Sequence, residues 1–335
     1  MAVASRGFSE GGIGKRDAWV PASTRSGILS VIIVRNDFVH QRKAIDVHIL
    51  ITRNSSSTEA VDASLLLSAY LSSQDMASTV VDALELDGLD PLDYDMAVSL
   101  GGDGTMLNTA HFARYSGLPV LGLNFGHLGF LVNKADDGVV AAVAAALSGD
   151  VVRDERTNLR IDVLCEGDSE DAFDHACGPD DELPANRRFF GLNEAAITRG
   201  ASGKVVDFAL SVSGERIANM RADGLIVATA TGSTAYALSA GGPLVAPGFG
   251  GLIIVPLAPH TLLARAIVTN TNDVAELQLG DNNASREAVL FVDGNLIELD
   301  APIRRVRIVR GPTPTVMLQY KHAGFYAHAS EVFFE

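Results

Sequence analysis

Apolar segments alternate with helix-spaced segments as far as residue 149, and there the alternation stops. This change of period limits the fold more than any other feature of the chain. Between residues 46 and 150, apolar runs at 47–51, 94–100 and 119–123 are each followed by a stretch with helical spacing. The first stretch places Ala60, Leu65, Leu67 and Leu71 behind the cap candidates Ser55, Ser56, Ser57 and Thr58; the others cover 105–115 and 135–147. Strands that alternate with helices need crossover connections, and these give a parallel sheet covered by helices. After Gly149 the period is two. Leu159, Ile161, Val163 and Cys165 alternate, as do Val206, Phe208, Leu210 and Val212, and short apolar runs follow at 225–227, 252–255, 266–268, 289–292 and 306–309. The expected fold class is an α/β N-terminal domain, a parallel sheet in Rossmann-like layers, joined to a β-rich C-terminal domain. The expected division is an extension of unassigned structure at 1–43, the α/β domain at 44–150, and the β-rich domain at 151–335 with an acidic insert at 166–187.

Charge narrows the choice of partner. Lys and Arg number 26 against 41 Asp and Glu, a net charge of −15, so the basic stripe of a nucleic-acid or anionic-membrane binder is not expected. Any phosphate must then be held locally. The longest unbroken apolar stretch, 139–147, is too short to span a bilayer, and the charged first seventeen residues lack the apolar core of a secretory signal. The expected location is cytoplasmic. The two cysteines, Cys165 and Cys177, fit neither a disulfide framework nor a zinc site. Eight acidic residues and no Lys or Arg lie between 166 and 182, which reads as a solvated loop between two strands.

The chain has no G-x-x-x-x-G-K-[ST], G-x-S-x-G, H-E-x-x-H or G-x-G-x-x-G motif. It does have Gly101-Gly102-Asp103-Gly104-Thr105, after the apolar run and before a helix expected from about Thr105. In a strand–glycine turn–helix, backbone N–H groups converge on an anion. The carboxylate of Asp103 would repel a phosphate unless it binds the nucleotide's magnesium or takes a proton from an attacking hydroxyl; the alternative is a turn with Asp103 as helix cap. A second block runs from Asp223 to Pro243, with an apolar strand emptying into Thr231-Gly232-Ser233-Thr234 and a short helix stopped by Gly-Gly-Pro. Its hydroxyls and free N–H groups suit a diphosphate or ribose. Tyr236 could stack on a base or pack in the core, and Asp223 could be a turn residue. The third feature, Asn193-Glu194, lies in a largely apolar strand and could grip a ribose diol and an adenine amine, or be an exposed strand end. The fourth is a Gly-rich loop at 124–131, whose His127 is as readily a loop residue as a ligand.

In their order and spacing, these motifs resemble the NAD kinase family from about Val47 to Leu318. The glycine motif alone is shared with lipid kinases and phosphofructokinases, whereas the block from Asp223 to Pro243 is specific. The resemblance implies an NAD kinase-like architecture, with NAD between the domains and a homodimer or homotetramer as the assembly. It implies phosphoryl transfer from ATP or polyphosphate to the 2′-hydroxyl of the adenosine ribose, with magnesium, giving NADP. By position, it makes Asp103 the catalytic aspartate, with Gly102, Gly104 and Thr105 beside it. Asn193 and Glu194 would hold the adenosine part, Arg221 and Asp223 the nicotinamide side, and Thr234, Ala235, Tyr236 and Ser239 the adenine and ribose pocket. Lys204 falls at a polar or basic contact, and Asn295 where many relatives have Gln. Ala230 and Ala266 replace prolines usual in the family, which loosens two turns without removing a chemical group. A lipid kinase would need an apolar acceptor tunnel and no Asn193-Glu194. A non-catalytic NAD sensor would not need Asp103.

Overall fold

The computed structural model describes residues 30–35, 38–43, 46–126, 129–175, 183–261, 264–321 and 324–334; His127 and Cys177 lie outside them. The first sheet has seven strands. Ala77–Asp82, His48–Arg53, Met96–Leu100, Val120–Asn124, Thr315–Gln319 and Val152–Arg156 cross it in that order, and Asn133–Lys134 pairs with Val120–Asn124. All pairings are parallel except that of Val152–Arg156 with Thr315–Gln319.

Helices α1 (Thr58–Ser73) and α3 (Val139–Ser148) cover one face of this sheet, and α2 (Asp103–Phe112) covers the other. Ser57 caps α1, its hydroxyl accepting the Ala60 N–H at 3.2 Å. The stripe α1 buries is Ala60, Ala63, Leu67 and Leu71; Leu65, expected among them, is 62% exposed because it falls off the i, i+3, i+7 row. His48–Arg53 is flanked by the strand that follows it on one side and by Met96–Leu100 on the other, so the connections diverge. The carboxyl ends of strands at such a divergence are the usual ligand position in sheets of this kind.

The second half is a sandwich of two six-stranded antiparallel sheets. One has the order Arg188–Gly191, Leu159–Cys165, Ile303–Arg310, Ala275–Leu279, Val206–Val212, Glu215–Ala222. The other has Ile267–Val268, Ile253–Leu257, Gly224–Ala228, Glu194–Thr198, Val289–Val292, Asn295–Ile297. Ile161, Leu210, Leu277 and Ile308 from the first interleave with Ala195, Ile197, Val227 and Leu290 from the second in one core.

Several expectations need correction. Residues 30–43, without assignable structure in the sequence, include an antiparallel pair, Ser30–Arg35 with Phe38–Lys43. The sheet boundary is not at 150, because Val152–Arg156 and Thr315–Gln319 both belong to the first sheet. A period of two identifies a strand but does not say which sheet it joins. The sandwich is thus an insertion, and its entry and exit lie side by side, the Gly311 N–H donating to the Asn158 carbonyl at 2.9 Å. The acidic insert is not wholly a solvated loop either. It contains the short helix α4 (Glu170–His175), and Phe173 is fully buried beneath the guanidinium groups of Arg305 and Arg307, 4.6 and 4.4 Å from its ring. Asp174 pairs with both arginines and Glu170 with Arg304, so the countercharge of α4 is supplied by strand Ile303–Arg310, while Asp168 pairs with Arg187 and Glu166 with Arg286. The remaining helices are α5 (Tyr236–Ser239), α6 (Asn283–Arg286) and α7 (Phe325–Phe333).

Candidate active site

Strand Met96–Leu100 leads into Asp103 at its carboxyl end. Gly101 has φ +155, and a Cβ there would come within 2.4 Å of the Thr105 hydroxyl, so the turn requires glycine. Helix α2 begins at Asp103 rather than near Thr105, with Gly102 as N-cap, so Gly102, Asp103, Gly104 and Thr105 form its first turn. Asp103 is not a cap for its own helix. Its Oδ2 accepts the Phe130 N–H at 3.1 Å and its Oδ1 the Leu131 N–H at 3.2 Å. The loop closes so tightly that a Cβ on Gly129 would lie 2.1 Å from Oδ1. Burial pushes the Asp103 carboxyl above its ordinary range, opposed by these two N–H groups and by nearby His328. Each oxygen retains acceptor capacity beyond these bonds.

In the sandwich, the Asn-Glu pair and the Thr-Gly-Ser-Thr turn meet. The Thr229 N–H donates to the Asn193 carbonyl at 2.8 Å, and its hydroxyl donates to the Leu192 carbonyl at 2.7 Å. A Cβ on Gly232 would sit 2.2 Å from the Asn193 carbonyl oxygen, which explains the glycine. Asn193 and Glu194 are buried, contrary to an exposed strand end. Burial and, secondarily, the Asp293 charge push the Glu194 carboxyl up to about 7, against the Tyr236 N–H that bonds to it. Its Oε2 is buried without a partner.

Glu194, Asp223 and Tyr236 line one cavity of about 620 Å³, with Arg199, Phe291 and Gly294. Arg199 pairs with Asp223 at 2.9 Å. Thr234 lines a second cavity of about 560 Å³ between the domains, which Gly129, Phe130 and Arg156 bound from the side of the first sheet and Thr231 from the other. The Thr234-Ala235-Tyr236 segment is therefore the wall between the two cavities.

Four expected residues are placed differently. Lys204 is exposed beyond strand Glu194–Thr198, and Arg221 is exposed on the other sheet, paired with Asp207 at 2.9 Å; neither lines these cavities. Ser239 and Asn295 are exposed at the end of α5 and beside Gly294.

The sequence reading missed Asp293. Its Oδ1 accepts the N–H groups of Asn193 and Glu194 at 2.7 and 3.0 Å, and its Oδ2 accepts that of Leu192 and the His111 Nε2–H, both at 2.7 Å. His111 lies in the last turn of α2, so this carboxylate ties the helix that begins with Asp103 to the backbone of the Asn-Glu pair. The available signal was Asp293-Gly294 between two apolar runs, a two-residue hairpin turn, and both residues do have positive φ, +48 and +81. That signal reveals the turn, not its anchoring role.

A carboxylate held just beyond a parallel strand by the loop that bounds a cavity shared with a β-sandwich suits a two-domain nucleotide phosphotransferase. Family models agree in both halves: the ATP-NAD kinase N-terminal domain matches residues 40–151 and the ATP-NAD kinase C-terminal domain matches 192–320. The NAD kinase of Aromatoleum aromaticum is 36% identical over 71% of this chain and 73% of its own, and that of Chlorobium limicola 34% over 77% and 86%. Yeast NADH kinase complexed with NADH has the same fold, with a TM-score of 0.72 at 21% identity, covering 86% of this chain and 87% of that one. So does an NAD kinase from Archaeoglobus fulgidus in complex with ATP, at 0.62 and 22%, covering 82% and 94%. The chain belongs to the ATP-NAD kinase family, and its activity is phosphoryl transfer to NAD. Among the described residues no helix is long and apolar enough to cross a membrane.

Proposed function

We propose that Asp103 is the catalytic group, acting on the 2′-hydroxyl of the adenosine ribose, with ATP or polyphosphate as donor. The observation carrying this reading is the Asp103 carboxylate, fixed by two N–H bonds from the loop that walls the interdomain cavity. Adenosine against Glu194 and Tyr236, with the dinucleotide crossing the Thr234 to Tyr236 wall, would leave its ribose hydroxyl facing that carboxylate. Asp103 orients the hydroxyl and accepts its proton as the oxygen–phosphorus bond forms and the bond to the leaving phosphate breaks. Such a transfer has a loose transition state, so positioning supplies most of the catalysis. The elevated proton affinity of Asp103 suits a group that must receive a proton.

Among the described residues no three His, Cys, Asp or Glu side chains form a metal cage. One carboxylate with spare acceptor capacity does fit magnesium, which is commonly held by one or two carboxylates and substrate phosphates. Asp103 would be its protein contact, and the ion would neutralise charge on the donor phosphates. This reading includes action in the cytoplasm as a homodimer or homotetramer, the assembly to be measured by light scattering. The test is the full chain with NAD and magnesium and, in turn, ATP, other triphosphates and polyphosphate, read through an NADP-specific dehydrogenase. No NADP with any donor would reject the proposal; repeating the assay with NADH defines the acceptor.

A further inference from the structure

Helix α7 begins at Phe325, beyond the last residue matched by the family models, yet it grips the loop that holds Asp103. Phe130, whose N–H donates to Asp103, contacts two α7 side chains. The His328 ring is centred 4.5 Å from the Phe130 ring, and Phe333 stacks on Phe130 at 5.4 Å with an interplanar angle of 11°. Both ring nitrogens of His328 are buried without a hydrogen-bond partner, and the ion-pair neighbour of Nδ1, Glu331, is at 4.0 Å. A buried imidazole in either tautomer has an N–H to satisfy, and leaving it unmet is unfavourable. His328 lines the interdomain cavity together with Lys134, Arg156, Thr231 and Thr234, and with the carboxylates Asp136, Asp137, Asp154 and Glu331, of which Asp154 pairs with Arg156 and Asp137 with Lys321, so an anion there would meet His328, Lys134 and the two threonine hydroxyls.

We propose that His328 donates a hydrogen bond to a phosphate of a nucleotide bound in this cavity, so that α7 completes the phosphate-binding wall opposite Thr231 and Thr234. This rests on the reading of Asp103 as the catalytic group, since the same loop separates the two side chains. The phosphate belongs either to the phosphoryl donor or to the dinucleotide, and kinetics separate these sources.

The experiment uses the full chain with His328→Phe, which keeps a ring against Phe130 but removes both nitrogens, and His328→Gln, which restores a donor. Losing a hydrogen bond to a charged group should raise one Michaelis constant at least about tenfold in His328→Phe, with the melting temperature near the parent's and partial recovery in His328→Gln. A rise confined to ATP assigns the donor phosphate; a rise confined to NAD assigns the dinucleotide. Michaelis constants within about twofold of the parent's for both substrates would overturn the proposal and leave His328 a packing residue. A second measurement does not depend on a variant's folding: the His328 ring resonance should shift when inorganic tripolyphosphate is titrated into the parent, and an unmoved resonance would equally overturn it. Failure of the Asp103 reading shows separately, as normal turnover by Asp103→Asn.

Discussion

Asp103 owes its position to N–H groups of Phe130 and Leu131, not to its own helix, so its replacement acts in two separable ways. In Asp103→Asn one of the two N–H groups faces an amide NH₂, which loosens the loop slightly, while the negative charge is lost altogether. General-base help is worth ~10²–10⁴-fold. The expected kcat is at least about 100-fold below the parent's, with NAD affinity by calorimetry much less affected; turnover within about threefold would demote Asp103 to a structural residue. Glu194 leads to a pH prediction. Its folded-state affinity for protons is raised from the ordinary 4.5 to about 7, so the folded protein binds the proton more tightly than the unfolded chain. Stability associated with this group is intact below about 4.5 and is lost as the pH rises toward 7 and above, a total of roughly 3 kcal/mol. Glu194→Gln should flatten that decline, melting above the parent at pH 8 and level with it near pH 4. A parent advantage at pH 8 would contradict the burial argument.

At the scale of elements, α4 shows how charge patterning misleads when the countercharge is remote. Among its described residues the acidic stretch contains one large apolar residue, Phe173, and that residue carries the docking. Phe173→Ala should destabilise the protein by roughly 3–5 kcal/mol, the usual range for a buried Phe truncation, while kcat stays unchanged because α4 lines neither cavity. Calorimetry and steady-state kinetics on one preparation check both halves. What the sequence revealed here was local. The strands around Val98, Leu121 and Val227, the cap at Ser57 and the glycine turn before Asp103 each have neighbours in sequence that determine them. The salt bridges of Arg305 and Arg307 to Asp174 join residues more than 130 positions apart, and no periodicity encodes them. The same holds in the site: the Gly-Gly-Asp-Gly-Thr turn and Asn193-Glu194 were legible as motifs, whereas Phe130, Asp293 and His328 act only through the tertiary fold.

Across the whole molecule, the two halves of the site are held in register by His111 and Asp293. His111→Leu leaves the buried Asp293 carboxylate one donor short, worth about 1–3 kcal/mol, and releases the tie between α2 and the backbone of Leu192, Asn193 and Glu194. The expected outcome is a loss of at least about tenfold in kcat/KM for NAD, with faster amide exchange at those three residues and recovery in His111→Gln. Unchanged exchange would show that the domains need no such link. The return of strand Thr315–Gln319 to the first sheet has a consequence for how the protein is made. This strand sits between Val120–Asn124 and Val152–Arg156, and Val152–Arg156 has no other partner in the sheet. During vectorial synthesis the β-sandwich emerges complete while the earlier domain still presents the start of Val120–Asn124, the part that Asn133–Lys134 leaves uncovered, to wrong pairing. That gap closes only once residues 315–319 have been made, so a chain cut before them would leave the domain that was synthesised first without the strand that joins Val120–Asn124 to Val152–Arg156.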